Sequence, residues 1–245
     1  MISFCIIYKM KLLVVLTQYK RTHLERQLQA LQKQTLKPDF LVVFQNESHV
    51  DITDLKQKYN FIHIHNDYNT KFFGRFAACF SFPVDVCVVF DDDMIPGEKC
   101  LESYVNQCVS LDGIIGGNGR YAYKNGPISQ PPDIGLRPRI KVDFVGHVWC
   151  FKKQWLHYMF AIPPLTYDTG EDMHLCYSSR VLGNIASYIG EHNTREECSD
   201  TTMNGLCHDQ FASYVNTPRQ IRVDIENYFI SLFINYVFIY IFKIL

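Results

Sequence analysis

Short apolar runs, separated by polar or proline-marked breaks, divide the first ninety residues into candidate strands and helices. Lys11–Leu16, Phe40–Phe44 and Val86–Phe90 are apolar at nearly every position. Unbroken runs of that length belong to strands buried on both faces, as in a parallel sheet covered by helices. Phe61–His65 alternates instead, as an edge strand with one wet face would. Between the first two strands, Leu24, Leu28 and Leu31 fall at helical spacing, with Thr22 placed as an N-cap and Glu25 at the capping-box position. Asp54–Tyr59 predicts a short helix, and 72–82 a helix leading into the third buried strand. Strand, helix and parallel strand make a right-handed crossover, which brings both strand ends to one rim. Ligands of such sheets bind outside the carboxyl ends of the strands.

The later pattern is less regular. Glu98–Val105 reads as helical, Ile114–Arg120 and Val142–Phe151 as strand-like, and the loop 124–138, rich in proline and glycine, as a candidate lid. A helix opens at Gly170 and ends at Gly183. Residues 228–242 carry no charge. A membrane-spanning helix needs about 20 apolar residues, so this stretch is marginal; it suits a strand or helix packed on the domain, with a membrane anchor as the minor alternative. The expected organisation is a leader or extra strand at 1–10, one domain over 11–220, and an apolar tail at 221–245.

Composition narrows the functional classes. With 24 Lys and Arg against 25 Asp and Glu among 245 residues, the net charge of -1 offers no basic field for nucleic acid. Nine cysteines without a CxxC pair, most inside apolar runs, fit buried reduced thiols in a cytoplasmic setting, with a Cys198–Cys207 disulfide as the minor alternative. The apolar residues 1–8 lack the charged start of a secretory signal. An anchor at the tail would place the domain on the cytosolic face of a membrane.

The sharpest chemical feature is the end of the third buried run, Phe90-Asp91-Asp92-Asp93. On an extended segment Asp91 and Asp93 face one way and Asp92 the other. Two carboxylates facing one spot repel unless a cation or a shared proton lies between them. Oxygen-only ligation selects Mg²⁺, Mn²⁺ or Ca²⁺, ions that keep places for substrate phosphates. The plainer alternative is a solvated turn capping the helix that follows. Glu171 and Asp172 at a helix start carry the same ambiguity between capping and chemistry. His63 and His65 share a face and form a weaker metal candidate, while His208, His192 and His147 are the remaining candidate histidines.

The ordered pieces Leu16-Thr17-Gln18-Tyr19-Lys20-Arg21-Thr22, Val42-Val43-Phe44-Gln45-Asn46, Gly74-Arg75-Phe76 and Phe90-Asp91-Asp92-Asp93, then Gly170-Glu171-Asp172 and Asn204-Gly205-Leu206-Cys207-His208, resemble GT-A-fold glycosyltransferases. The likeness is to the family 2 type and to the exostosin-like catalytic domain, and it runs from Lys11 to about Asn216. It implies an α/β GT-A (Rossmann-like) fold, with a mixed, mainly parallel sheet flanked by helices. The activity implied is metal-dependent transfer of a hexosyl or N-acetylhexosaminyl group from a nucleoside-diphosphate sugar, UDP-linked as the first reading. The acceptor hydroxyl would belong to a glycan or to a protein- or lipid-linked group.

The resemblance also implies roles. Asp93 holds Mn²⁺ or Mg²⁺, Asp91 and Asp92 assist through water or the ribose, and His208 meets the metal or a phosphate. Arg75 and Arg21 face the phosphates, and Thr17, Gln18 and Asn46 the nucleoside. Asp172, beside Glu171, is the functional carboxylate: a general base if the reaction inverts, a positioning group if it retains. Arg120 and Trp149 lie on the acceptor side, Trp149 either stacked on a sugar or packed in the core. Two departures stand out. The N-terminal residues do not resemble the membrane anchor of exostosin-like enzymes, and Gln45 occupies the position where a second amide is expected beside Asn46. A nucleotidyltransferase also uses clustered aspartates at a strand end, and a catalytically inactive GT-A fold that binds glycan or a partner is the non-enzymatic alternative.

Overall fold

In a computed structural model, the residues described are 10–121, 128–129, 136–202, 206, 209–211 and 218–244, with 128–129, 219 and 233–244 described by backbone alone. The three apolar runs become β1 (Leu12–Gln18), β2 (Phe40–Asn46) and β4 (Val86–Phe90), joined at the edge by β3 (Ile62–Asn66). Their pairings are all parallel. Every residue of β4 is buried, as a strand covered on both faces requires. The sheet continues through β5 (Ile114–Tyr121), β6 (Ile128–Ser129), β7 (Ile140–Val142), β8 (Phe144–Lys152) and β9 (Ser187–Ile189). Among the described residues it has nine strands, in the order β3-β2-β1-β4-β8-β5-β9-β7 with β6 paired to β5. β8 runs antiparallel to both neighbours, so the chain's direction reverses next to the strand that carries the aspartates.

The helices are α1 (Leu24–Lys33), α2 (Thr53–Lys58), α3 (Gly74–Ala78), α4 (Cys100–Leu111), α5 (Leu156–Ala161), α6 (Glu171–Gly183) and α7 (Arg219–Ile244). Leu24, Leu28 and Leu31 are buried as their spacing predicts, but α1 has His23 at its N-cap and no side-chain cap. Thr22 therefore caps nothing, because Gln18 Nε2 donates to Arg21 O and holds residues 18–21 in their own turn. Glu25 binds Lys58 Nζ at 2.6 Å instead of closing a capping box. α4 begins at Cys100, well past the aspartates, which excludes the capping reading of the triplet. Its first turn is served from α1: the buried Gln34 accepts from Leu101 N at 3.0 Å and donates to Gly97 O.

His63 and His65 turn to the end of β2, His63 Nε2 lying 2.8 Å from Gln45 Oε1 and His65 Nε2 3.0 Å from Ser48 Oγ. That is the edge-strand reading rather than a metal pair. Seven cysteines, Cys79, Cys87, Cys100, Cys108, Cys150, Cys176 and Cys198, are buried; Cys207 and nearly all of the loop 124–138 lie outside the described residues. The start of α7 packs on α6, with the Phe229 ring 5.2 Å from His174 and 5.3 Å from Tyr177, while Tyr228 donates to Pro163 O. Among the described residues no helix is long and apolar enough to cross a membrane.

Candidate active site

β4 ends at Phe90, and the three aspartates enter a turn in which Met94 N donates to Asp91 O at 3.3 Å. The buried Gln27 side chain on α1 pins this turn by donating to Asp91 O at 2.7 Å and Met94 O at 2.9 Å. Because the segment is not extended, side-chain alternation does not hold. Asp92 and Asp93 meet the same cation, Arg21, and Asp91 meets another, Arg75. Arg21 bonds Asp92, reaches Asp93 Oδ2 at 3.1 Å, and forks onto Asp209 with Nε at 2.7 Å and Nη2 at 2.8 Å. It organises carboxylates, and a planar guanidinium does this because its donors diverge in a fixed geometry.

Asp93 is the best buried of the three, at 6 % exposure. Its Oδ1 is buried without a hydrogen-bond partner. Burial, reinforced by the Asp91 charge and only partly offset by Arg21, pushes this carboxyl up to about 8. Arg21 reaches Oδ2 but leaves Oδ1 without a partner.

Arg75 is 2 % exposed. Nη1 donates to Thr17 Oγ1 at 3.0 Å and to Asp91, and Nη2 to Glu171 Oε1 at 2.9 Å. The guanidinium lies over Trp149, 4.7 Å from the ring centre. It thus ties β1, the aspartate turn and the start of α6 together from beneath, rather than facing the cleft where phosphates would bind. Trp149 is 1 % exposed and donates to Val145 O at 2.8 Å. Of its two readings the structure selects core packing, since no face is left for a sugar.

The residues expected to meet the nucleoside are occupied as well. Thr17 Oγ1 donates to Phe90 O at 2.8 Å, and buried Gln18 holds its own loop. Asn46 Oδ1 accepts from Thr70 N and Oγ1 at 3.2 and 2.8 Å, while Nδ2 donates to Lys71 O at 3.1 Å. These side chains set the shape of the donor-side loops. Gly74 is required there, since a Cβ would stand 2.3 Å from Thr70 Oγ1.

On the acceptor side α6 starts at Glu171 behind Gly170, whose φ of 80° favours glycine. A Cβ on Gly170 would sit 2.3 Å from Ile225 Cδ1, so α7 is packed directly against this turn. The two acidic residues part here. Glu171 is buried against Arg75, and burial, with Asp172 and Asp91 adding to it, raises it to about 8. Asp172 is only half-buried. Burial raises its pKa too, while Arg222, the Met173 N–H and Arg120 act to lower it and Asp91 adds to the rise. Asp172 is therefore the more accessible carboxylate of the pair, with the charges of Arg222 and Arg120 acting on it.

Two residues emerge that sequence reasoning left out or ranked low. Arg222 on α7 was hidden in a segment read as the start of an apolar tail. His147 sits where β8 slips register against β5 between Gly116 and Asn118, with φ 68°, and its carbonyl accepts from Asp91 N at 2.9 Å. A histidine held in the left-handed region at a bulge beside the aspartates is strained where chemistry is expected. Burial lowers its pKa against Asp91, Asp200 and Asp172, which face it and raise it, with Arg120 nearby. Asp209 was also missed, although it follows His208 in sequence; His208 itself lies outside the described residues. His192 is buried and lies 3.1 Å from Tyr104 Oη, away from these groups.

The donor set suits a hard divalent cation. Asp93 brings a buried, unpartnered oxygen, and Asp91 a side chain 26 % exposed. Among the described residues no three His, Cys, Asp or Glu side chains gather closely enough to form a cage. An ion held by one or two carboxylates with water and phosphate completing its shell needs none.

No family model matches the sequence, and neither does any curated protein. Solved structures do match by shape. S. aureus TarS superposes with a TM-score of 0.52 at 16% identity, over 75% of this chain and 37% of that one. A TarS 1–349 structure in complex with UDP gives 0.53 at 14% identity, over 73% of this chain and 57% of that one. The mannosyltransferase PcManGT from Pyrobaculum calidifontis, in complex with GDP-Man and Mn²⁺, gives 0.53 at 14% identity, over 74% of this chain and 55% of that one. The chain thus spans between about a third and three fifths of the length of these proteins. The mixed sheet, with its parallel β3-β2-β1-β4 half and the reversal at β8, is shared with these glycosyltransferases, and this chain has the GT-A fold.

Proposed function

We propose that this protein is a glycosyltransferase that moves a sugar from a nucleoside-diphosphate donor to an acceptor hydroxyl. The observation that carries the reading is the buried, unpartnered Asp93 Oδ1 in the turn after β4, a turn whose Asp91 is joined through Arg75 to Glu171, the neighbour of Asp172. Fold likeness to proteins solved with UDP and with GDP-Man and Mn²⁺ supports a nucleotide-sugar donor, UDP-linked as the first choice.

Asp93 and Asp91 would hold Mn²⁺ or Mg²⁺. A bound divalent ion supplies positive charge where the diphosphate leaving group gains negative charge. Arg75 and Arg21 act one step back, fixing Asp91 and Asp93 so that their oxygens converge. In the transfer, the acceptor oxygen bonds to the anomeric carbon as the bond from that carbon to the β-phosphate oxygen breaks. The electron pair leaves with the diphosphate. Under inversion Asp172 takes the acceptor proton, and burial, by raising its pKa, makes it a stronger base than a free carboxylate. Under retention it holds the acceptor hydroxyl in place. The anomer formed decides between the two, and Asp172→Asn should lower turnover at least about 100-fold as a general base. The charges of Arg120 and Arg222 favour the ionised form of Asp172, and both would face the acceptor.

The test is heat protection of the protein with Mn²⁺ by UDP, GDP, TDP, CMP and ATP in turn. A ligand at 100 times its Kd adds about 2.7 kcal/mol of stability. Protection by one diphosphate, abolished by chelator and in Asp93→Ala, is the expected result. Protection by ATP alone would move the assignment to phosphoryl transfer, and none at all to an inactive binding fold.

A further inference from the structure

α7 does two jobs along one rigid rod. Its first turns complete the acceptor side, Arg222 facing Asp172 and Ile225 packing on Gly170. From Tyr228 onward its sequence, Tyr-Phe-Ile-Ser-Leu-Phe-Ile-Asn-Tyr-Val-Phe-Ile-Tyr-Ile-Phe, carries no charge for fifteen residues. Where this run begins, the domain is apolar at its surface too. Ile230 is 55 % exposed, Leu165 50 % and Tyr167 65 %. The three belong to one neighbourhood: Tyr228 is bonded to Pro163 O, Phe229 touches His174, and Phe73 bridges His174 and Tyr167 at 5.7 and 5.4 Å. Phe160 and Phe80, in ring contact at 5.4 Å and both exposed, extend the rim through α5.

Resting on the glycosyltransferase reading, we infer that the second half of α7 and the Leu165–Tyr167 rim seat the protein on a lipid bilayer, and that the acceptor is lipid-linked. The sequence of the run argues for lipid over a second copy of the chain. A protein partner covers one stripe of a helix and leaves the rest in water; in 228–242 the polar Ser231 and Asn235 fall on one face, four residues apart, and the wider remainder is apolar, which suits a bilayer. At about 1.5 Å per residue, fifteen residues reach about 22 Å, short of the about 30 Å hydrocarbon core. The uncharged run by itself is therefore shorter than the core it would have to span. The six residues from Arg222 to Tyr228 rise about 9 Å. That leaves the acceptor pocket within one or two sugar units of the membrane surface, the reach of a lipid-borne headgroup.

Flotation of the full chain with phosphatidylcholine vesicles tests the seat. The protein should float with the vesicles at both 0.05 and about 0.5 M salt, because apolar insertion, unlike attraction to charged headgroups, is not screened. Leu165→Glu/Ile230→Glu, at exposed positions outside the site, should cut the floating fraction at least about 5-fold and leave nucleotide protection unchanged. Protein that stays with the lipid-free fractions, or that sediments as a dimer through this surface, overturns the proposal. The acceptor class is read by offering one sugar as its dodecyl glycoside in those vesicles and as its methyl glycoside in solution. Transfer at least about 10-fold faster to the dodecyl form, with the advantage lost in the double variant, is expected, and equal rates overturn the lipid-linked acceptor. Loss of nucleotide protection in the unmodified protein would count instead against the glycosyltransferase reading, which flotation does not depend on.

Discussion

His147 shows how much a single backbone angle can reveal. Its φ of 68° is costly for any residue with a Cβ and prohibitive for a β-branched one. His147→Val should therefore destabilise the protein by about 1–3 kcal/mol in urea unfolding, whereas His147→Asn, which tolerates that region, should cost less than half as much. Arg75 makes the complementary case for charge. Its guanidinium is buried between Asp91, Glu171 and Thr17, so removing it strands two carboxylates. Arg75→Met should cost about 3–5 kcal/mol, and Arg75→Lys should recover only part of that, because one ammonium cannot serve both carboxylates. The motif Gly74-Arg75 was visible in the sequence, but its role was not. An arginine near a phosphate-binding site looks the same in one dimension whether it touches the phosphate or props up the carboxylates.

At the scale of elements, the junction between α6 and α7 decides whether the acceptor side forms. Gly170→Ala places a methyl group into Ile225 and forces an alanine to φ 80°. A loss of about 1–2 kcal/mol is expected from the backbone alone. The steric part should be relieved in Gly170→Ala/Ile225→Ala, and thermal melts of the two variants read the difference. The helix α6 was legible from its acidic start and its closing glycine, and β1, β2 and β4 from their unbroken apolar runs. The start of α1 was not: Thr22 and Glu25 have the right spacing for a cap, yet the N-cap falls at His23, with Gln18 holding the Arg21 carbonyl and Lys58 holding Glu25. Local capping is weak, at about 1 kcal/mol, and a tertiary hydrogen bond easily outbids it.

Over the whole molecule, the sheet's parallel half delivers a turn of three carboxylates to the same rim as α6, and the resulting concentration of buried negative charge sets the pH response. Glu171 rises from 4.5 to about 8 in the fold. A group whose folded pKa is raised binds its proton more tightly when folded. Its contribution is therefore complete below 4.5 and is lost as pH climbs through about 8. The metal-free protein should lose stability over that window, by up to about 1.4 kcal/mol per pH unit for each such group. In Glu171→Gln, which keeps an oxygen for Arg75, the slope should shrink. Denaturant midpoints measured from pH 5 to 9 would reveal an unchanged slope if the assignment is wrong.

The order of strands and helices as far as α4, the buried character of β1, β2 and β4, the aspartates at a strand end and the acidic pair at a helix start were all determined by sequence alone. Each depends on residues close together in the chain: an apolar run, a helical spacing, a run of like charges. Which carboxylate faces which cation was decided only by the tertiary structure. Asp91 goes to Arg75, Asp92 and Asp93 go to Arg21, Glu171 is buried and Asp172 is open, and Arg222 arrives from a helix fifty residues beyond Asp172. Trp149 becomes core because Arg75 covers its face. Such pairings are set by how the sheet edge, α6 and α7 meet, and charge acts through space, where distance along the chain has no meaning.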